Sequence, residues 1–171
     1  MKLILLILLF SQGLWAMELE HQGHRLYVEV PENWEMGQDL FGIPFIFFSP
    51  QQNGQRSNIS FADTGARLEL EVGALKKNQK DYQDNKKKWA TTHSASIVEF
   101  YPYKSYQNKH LHTVHTIGMK YVHQKKTYVE TSFYLECKGK ILFSKGLRLE
   151  ANAHHQKNFD SMINELDCGV L

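Results

Sequence analysis

The strongest constraint on the fold is a block of alternating residues in the second half of the chain. Two long runs, at 110–123 and 127–136, are separated by the polar stretch QKK, and a further apolar run follows in ECKGKILF. Alternation with a period of two indicates strands that place one face on a core. The block therefore predicts consecutive antiparallel strands joined by short turns.

The stretch ECKGKILF makes a specific prediction about register. A three-residue loop of Cys137, Lys138 and Gly139, with Gly139 in the left-handed region, places Glu136 opposite Lys140. A two-residue loop would pair apolar with polar residues, so the three-residue loop is preferred. The predicted cross-strand pairs on one face are Leu135–Ile141, Phe133–Phe143 and Val129–Leu147, and the second face carries Tyr134 and Leu142.

Shorter strands and two helices complete the predicted elements. The predicted strands are 18–21 and 26–30, joined by a turn at Gln22-Gly23, then GIPFIFFSP, SNISF, RLELEV, and SIVEFYP, which ends at Pro102. The stretch 74–92 has a narrow apolar stripe typical of a helix on a sheet, namely Leu75, Tyr82 and Trp89. A C-terminal helix, capped by Asn152, presents a second stripe of Phe159, Met162, Ile163 and Leu166. The predicted class is α+β: a mostly antiparallel sheet with a mid-chain and a C-terminal helix packed on it, as an α/β/α sandwich.

The first 16 residues resemble a secretory signal peptide. Lys2 precedes an apolar run from Leu3 to Phe10, and Ala16 closes a small-residue cleavage site. A retained anchor is the alternative, but Ser11, Gln12 and Gly13 interrupt the run before the roughly 20 residues that a spanning helix needs. We expect residues 17–171 to form a single domain in the periplasm or outside the cell, with no stable membrane span after cleavage.

Charge and cysteine content narrow the function classes. The chain has 20 Lys and Arg residues and 18 Asp and Glu residues, and this near balance of charge gives no general attraction to nucleic acid or anionic lipid. The two cysteines, Cys137 and Cys168, are an even pair in a chain expected to be exported, which predicts a disulfide. Closing residues 137–168 into a ring is worth about 3–4 kcal/mol in the chain-entropy model.

Several stretches together resemble the PsbP-like superfamily. They are VPENW after the first hairpin, FSP followed by NISF, and YVETSFYLECKGKILFSKGL leading to FDSMINEL, which together extend over nearly the whole mature chain. This superfamily of α/β/α sandwiches includes the Ran-binding Mog proteins and the DcrB-like envelope proteins of bacteria. The resemblance implies an accessory or adaptor role in binding or assembly, and no catalytic motif that could be transferred to this chain.

The stretch HLHTVH, residues 110–115, concentrates three histidines. On a strand, His110 and His112 point the same way and His115 points opposite, so all three cannot reach one ion. His110 and His112 are a candidate pair for Zn²⁺ or Cu²⁺, but a metal site needs at least one further ligand, from His21, His24 or His154. The alternative is a strand whose His115 is partly buried, and this interpretation is favoured.

Asp63 lies in FADTGA, a stretch that matches the Asp-Thr-Gly turn of aspartic proteases. Such enzymes need two carboxylates that share one proton, and hence a second copy of the turn or a dimer. The three residues are also ordinary turn formers. Asp63 is the candidate catalytic residue in the alternative hypothesis of a small periplasmic hydrolase.

A tyrosine-rich stretch is the first candidate for a binding surface. EFYPYKSYQNKH holds Tyr101, Tyr103 and Tyr106 around a proline, and tyrosine combines broad apolar area with a hydroxyl group. The favoured interpretation is a strand end whose tyrosines pack at the rim of the sheet, and a binding surface, if the chain has one, is expected here first. The sequence favours an exported, non-catalytic binding or accessory protein of the cell envelope, with a protein or envelope partner and no cofactor. The hydrolase and the histidine-based metal-binding protein are the alternatives.

Overall fold

The computed structural model describes residues 15–21, 24–52, 54–63, 74–137 and 140–170. Within these ranges the chain forms ten strands and three α-helices. The strands are β1 (Trp15–His21), β2 (His24–Val30), β3 (Glu35–Leu40), β4 (Ile43–Phe48), β5 (Asn58–Asp63), β6 (Ser96–Gln107), β7 (Thr113–His123), β8 (Lys126–Cys137), β9 (Lys140–Leu149) and β10 (Asp167–Val170). The helices are α1 (Ala74–Lys77), α2 (Gln79–Thr92) and α3 (His154–Asn164), and a 3-10 turn covers Glu150–Asn152. The expected α+β class is confirmed.

The strands form two antiparallel sheets. The large sheet has the order β3-β4-β5-β9-β8-β7-β6, and the small sheet has the order β1-β2-β10. The predicted N-terminal hairpin is the β1–β2 pair, in which His21 lies opposite His24. Among the described helices, none is long and apolar enough to cross a membrane.

The helices lie on opposite faces of the large sheet. Helix α2 packs on one face, where Trp89 meets Tyr121 edge-on and Tyr82 meets Phe100. Helix α3 packs on the other face, against β9 and also against β2 of the small sheet. We call these the α2 face and the α3 face. Both helices were expected on the sheet, and the α/β/α arrangement follows from their placement.

The apolar stripe of α3 fills the core between the two sheets. Phe159, Met162, Ile163 and Leu166 are fully buried, as their spacing predicts. The core cluster joins them to side chains of both sheets, including Val28 of β2, Phe47 of β4, Ile59 of β5 and Phe133 of β8. Burying each side chain of this size stabilises the fold by about 1.5–3 kcal/mol.

The predicted disulfide is present and joins the two sheets. Cys137 ends β8 of the large sheet, Cys168 lies in β10 of the small sheet, and their Cα atoms are 5.8 Å apart. Strand β10 was not among the predicted elements. Strand β10 pairs with β2, with Cys168 opposite Leu26. The bridge therefore links the edge strand of the small sheet to β8 of the large sheet.

The predicted register of the β8–β9 hairpin is wrong by one residue. Cys137 lies opposite Lys140, so the loop has two residues, and Leu135 faces Leu142 while Phe133 faces Ser144. Leu142 therefore lies on the α3 face, packed against the core, and not on the second face with Tyr134. In this register Gly146 of β9 lies opposite Thr131 of β8, and the ring of Phe159 of α3 packs directly on Gly146.

Three local predictions are also wrong. Strand β6 passes through Pro102 and continues to Gln107, because it is an edge strand with an irregularity at that point. Helix α3 follows Ala153, with no side-chain cap, and Asn152 lies in the preceding 3-10 turn. The predicted strand at 110 begins only at Thr113. The predicted helix at 74–92 is present but interrupted at Asn78, and the predicted strand RLELEV lies outside the described residues.

Candidate functional site

An irregularity in β6 decides where the three candidate tyrosines lie. Tyr101 pairs with Gly118 and Lys104 with Thr116, so three steps along β6 match two steps along β7. The extra residue is a β-bulge, and Pro102, which lacks a backbone N–H, lies within it. Because the bulge shifts the alternation, Tyr101 and Tyr106 lie on the α3 face, whereas Tyr103 contacts His115 on the α2 face.

Tyr101 and Tyr106 belong to a groove of about 790 Å³ on the α3 face. Its floor is the uncovered part of β7 and β8, one side is β6, and the other side is α3. The residues that line the groove are Tyr101, Pro102, Lys104, Tyr106, Thr116, Ile117, Gly118, Val129, Thr131, Phe133, Arg148, Gln156, Lys157, Asp160, Ser161 and Asn164. This volume is in the range of pockets that bind small ligands or short peptide segments.

Gly118 permits the close packing at the groove floor. A Cβ atom at this position would lie 2.5 Å from the carbonyl oxygen of Glu130 and 3.3 Å from Cδ2 of Tyr101. The absence of a side chain therefore lets the Tyr101 ring lie against the strand. The ring is partly buried and forms an aromatic wall next to the threonines of the floor.

A chain of polar side chains runs along the groove toward α3. Arg148 Nε donates to Gln156 Oε1 at 3.2 Å, and Gln156 Nε2 donates to Asp160 Oδ1 at 3.0 Å. Arg148 Nη1 also donates to the carbonyl of Leu149 at 3.2 Å. These bonds hold the guanidinium, amide and carboxylate in fixed positions, which lowers the entropy cost of binding a ligand.

Burial shifts the pKa values of groups in the groove. It raises the pKa of Asp160, and the hydrogen bond from Gln156 and the charge of Arg148 oppose that rise. Burial also lowers the pKa of Arg148 and raises the pKa of Tyr106 to about 12, with a further contribution from Asp160 to the Tyr106 shift. Tyr106 therefore carries a neutral hydroxyl at any physiological pH.

Tyr103 and His115 form a separate polar cluster on the α2 face. His115 is buried, as the row of apolar neighbours predicts. Its Nδ1 lies 2.8 Å from the Tyr103 hydroxyl, and its Nε2 lies 2.8 Å from Glu136 Oε1. Since a carboxylate only accepts, Nε2 donates to Glu136, and in the neutral ring the tyrosine hydroxyl donates to Nδ1. The cluster satisfies a buried imidazole and links β6, β7 and β8.

His110 and His112 lie in a turn anchored by Asn108. The backbone N–H groups of both histidines donate to Asn108 Oδ1 at 3.0 Å, and Asn108 Nδ2 donates to the carbonyls of Ile163 and Leu166. Asn108 thereby joins this turn to the C-terminal end of α3. Sequence reasoning missed this buried residue, and only its position before the turn could have suggested the role.

The candidate metal pair lies next to Asp167. His112 Nε2 is 2.9 Å from Asp167 Oδ1, and His110 Nδ1 is 3.9 Å from Asp167 Oδ2. The hydrogen bond from His112 lowers the pKa of the Asp167 carboxyl. Among the side chains that the structure describes, no group of three or more His, Cys, Asp or Glu residues is arranged to hold a metal ion. The side chains of His21 and His24 lie outside that set.

Asp63, the candidate catalytic residue, is the last described residue before the gap at 64–73. Asp63 is the last residue of β5, its side chain is not described, and Thr64 and Gly65 lie outside the described residues. The protease hypothesis therefore stays a sequence-based prediction.

The chain is similar to two solved structures over most of its length. The chain superposes on the solution structure of cyanobacterial PsbP (CyanoP) from Synechocystis sp. PCC 6803 with a TM-score of 0.58 and 9% identity, covering 94% of this chain and 96% of that one. It also superposes on the crystal structure of LpqN from Mycobacterium tuberculosis, a protein involved in cell envelope biogenesis, with a TM-score of 0.57 and 10% identity, covering 91% of each chain. The fold is PsbP-like. No family model and no curated protein matches the sequence.

The PsbP-like fold brings together groove residues that sequence reasoning missed. Gln156, Asp160 and Asn164 recur every fourth residue on the polar side of α3, and this spacing was the available signal that they share a face. Arg148 carries no such signal, because its meeting with Gln156 depends on how α3 folds back over β9.

Proposed function

We propose that this chain is an exported, non-catalytic binding protein of the cell envelope, and that the groove on the α3 face is its binding site. The observation that carries the proposal is the groove itself, in which Tyr101 and Tyr106 stand opposite the fixed polar groups Arg148, Gln156 and Asp160. Tyrosine and arginine, with tryptophan, are the side chains that are enriched among the residues dominating binding energy at protein interfaces.

The export part of the proposal rests on the leader and the disulfide. Residues 1–16 have the order of a signal peptide, and the Cys137–Cys168 bridge suits an oxidising compartment. We expect mass spectrometry of the protein from the producing cells to find Met17 as its N-terminus and fractionation to find it outside the cytoplasm. A full-length chain with reduced cysteines in the cytosol would contradict export.

The PsbP-like fold supports the envelope setting. LpqN, which shares the fold over most of its length, is described as involved in cell envelope biogenesis. One fold can host several functions, so the proposed function rests on the groove and not on the fold. The similarity to LpqN adds the cell envelope as a setting for a binding protein of this fold.

Site-specific photocrosslinking tests the proposal. Benzoylphenylalanine replaces Tyr106 in the groove, and the same replacement at Tyr27, an exposed tyrosine on β2, is the matched control. After irradiation of envelope extract, we expect a discrete adduct from position 106 and none from position 27. Equal adducts from both positions, or none from the groove, would refute the assignment of the site.

A further inference from the structure

The groove carries an excess of positive charge. Lys104, Arg148 and Lys157 line it, and Asp160 is the one carboxylate among the described residues that line it. In the part of the chain that the structure describes, neither lysine ammonium has a carboxylate oxygen within 4.0 Å, although the charge of Lys104 acts on Asp160. We propose that the groove binds an extended acidic segment of a partner protein; this rests on the proposed function and adds the class of ligand.

The three cations of the groove are carried by three different elements of the fold. Lys104 comes from β6, Arg148 from β9 and Lys157 from α3. Arg148 Nη1 also donates to the backbone carbonyl of Leu149, so part of the guanidinium is already engaged within the chain. Cations carried by three elements that line one groove are complementary to acidic side chains spaced along an extended chain.

The remaining groups of the groove favour a polypeptide over a simple polyanion. Asp160, held by Gln156, is an acceptor that backbone N–H groups can satisfy, and the hydroxyls of Thr116 and Thr131 on the floor both donate and accept. Tyr101 and Tyr106 offer aromatic surface for the apolar side chains of the same segment. A polypeptide supplies carboxylates, N–H donors and apolar groups together.

Fluorescence anisotropy with defined peptides tests this proposal. The probes are a fluorescein-labelled eight-residue peptide that alternates Glu with Val, and the same peptide with Gln in place of Glu. We expect the Glu peptide to bind the disulfide-bonded protein about tenfold more tightly than the Gln peptide, and higher salt to weaken it. Equal affinities for the two peptides would refute the proposal.

Charge reversal assigns the effect to the groove. Lys104→Glu and Lys157→Glu should each weaken the Glu peptide about fivefold or more, because each replaces an attraction by a repulsion. Lys88→Glu, on α2 at the opposite face of the sheet, is the matched control and should leave the affinity unchanged. Unchanged binding in both groove variants would overturn the proposal. Thermal unfolding of each variant confirms that it is folded.

A vesicle-binding measurement distinguishes a lipid surface from an acidic peptide. If the protein binds vesicles of phosphatidylglycerol and phosphatidylcholine through Lys104 and Lys157 but does not bind the Glu peptide, the proposed ligand is wrong and a lipid surface takes its place.

A groove-filling variant distinguishes failure of this proposal from failure of the proposed function. Thr131→Trp fills the groove floor. If Thr131→Trp abolishes the adduct at position 106 while Lys104→Glu does not, the groove remains the binding site and the acidic ligand class is wrong. If neither variant changes the adduct, the proposed function fails as well.

Discussion

Phe159 of helix α3 lies directly over Gly146 of strand β9. A Cβ atom at Gly146 would be 2.7 Å from Cδ2 and 3.0 Å from Cε2 of the buried ring. We expect Gly146→Ala to reduce the free energy of unfolding by about 1–3 kcal/mol, because the added methyl group overpacks a filled core. Urea unfolding with the disulfide intact measures this change.

Gly169→Ala is the matched control for this packing. Gly169 also lies in a strand, but a Cβ atom there would meet its nearest neighbour, Cβ of Arg25, at 3.4 Å. We expect a change within about 0.5 kcal/mol, as for other positions without crowding. Equal losses at both glycines would contradict the role assigned to Phe159.

Lys86 and Glu130 form an ion pair between α2 and the large sheet. Glu130 is buried, and the Lys86 ammonium also lies 5.6 Å from the ring centroid of Tyr82. We expect Lys86→Met to cost about 3–5 kcal/mol in the free energy of unfolding, because a buried carboxylate loses its partner. Lys80→Met, which removes an exposed pair with Asp84, should cost at most about 0.5 kcal/mol. The double variant Lys86→Met/Glu130→Gln should recover much of the loss, and a double variant as unstable as the single one would contradict this reasoning.

The Cys137–Cys168 bridge should stabilise the protein mainly by restricting the unfolded chain. We expect the double variant Cys137→Ser/Cys168→Ser to lose about 3–4 kcal/mol in the free energy of unfolding, measured by denaturant titration. Reducing agent should lower the stability of the wild type to the same extent and leave the variant unaffected. Thiol titration of the native protein should find no free sulfhydryl, and two reactive thiols in native protein would contradict the bridge.

His155 should make stability fall in mild acid. Burial, with His154 and Arg148 nearby, lowers the pKa of His155 from 6.5 to about 4. A neutral ring fits its surroundings, where Ser57 Oγ lies 2.7 Å from Nδ1 and Trp34 packs edge-on. As the pH falls, His155 is protonated at a higher pH in the unfolded chain than in the folded one, which favours unfolding. The stabilisation from the neutral ring is therefore complete above pH 6.5 and is lost as the pH falls toward 4.

The difference between wild type and His155→Gln isolates this effect. We expect the wild type to lose up to about 3 kcal/mol relative to the variant between pH 7 and pH 4. The exposed histidine variant His93→Gln is the control and should keep the pH dependence of the wild type. A parallel pH dependence of His155→Gln and wild type would show that His155 does not contribute.

The sequence predicted the elements better than their pairing. Alternation and the four-residue stripe of α3 identified the long strands and the buried face of the helix, because both patterns are local repeats of the backbone geometry. Strands β3 and β10 were missed. Strand β3 is exposed on nearly every residue and lacks alternation, and β10 has only four residues. Their pairing partners, not their own sequences, make them strands.

The residues of the candidate site were likewise predicted in part from the sequence and in part missed. The tyrosine stretch predicted Tyr101 and Tyr106, which line the groove, but also Tyr103, which the bulge at Pro102 turns to the other face. Neither the bulge nor the approach of Arg148 to Gln156 can be read from nearby residues. Each depends on contacts between segments that are distant in the chain or on a register shared by two strands.

By itself, the sequence determined the α+β class, the two cysteines that pair, and the apolar faces of the main elements, because each follows from composition or from a short repeat. Only the tertiary structure decided the register of β8 and β9, the face on which each tyrosine lies, and the existence of the groove. The reason is physical: a strand pair gains similar backbone hydrogen bonds in neighbouring registers, so the packing of Phe159 against Gly146 selects between them.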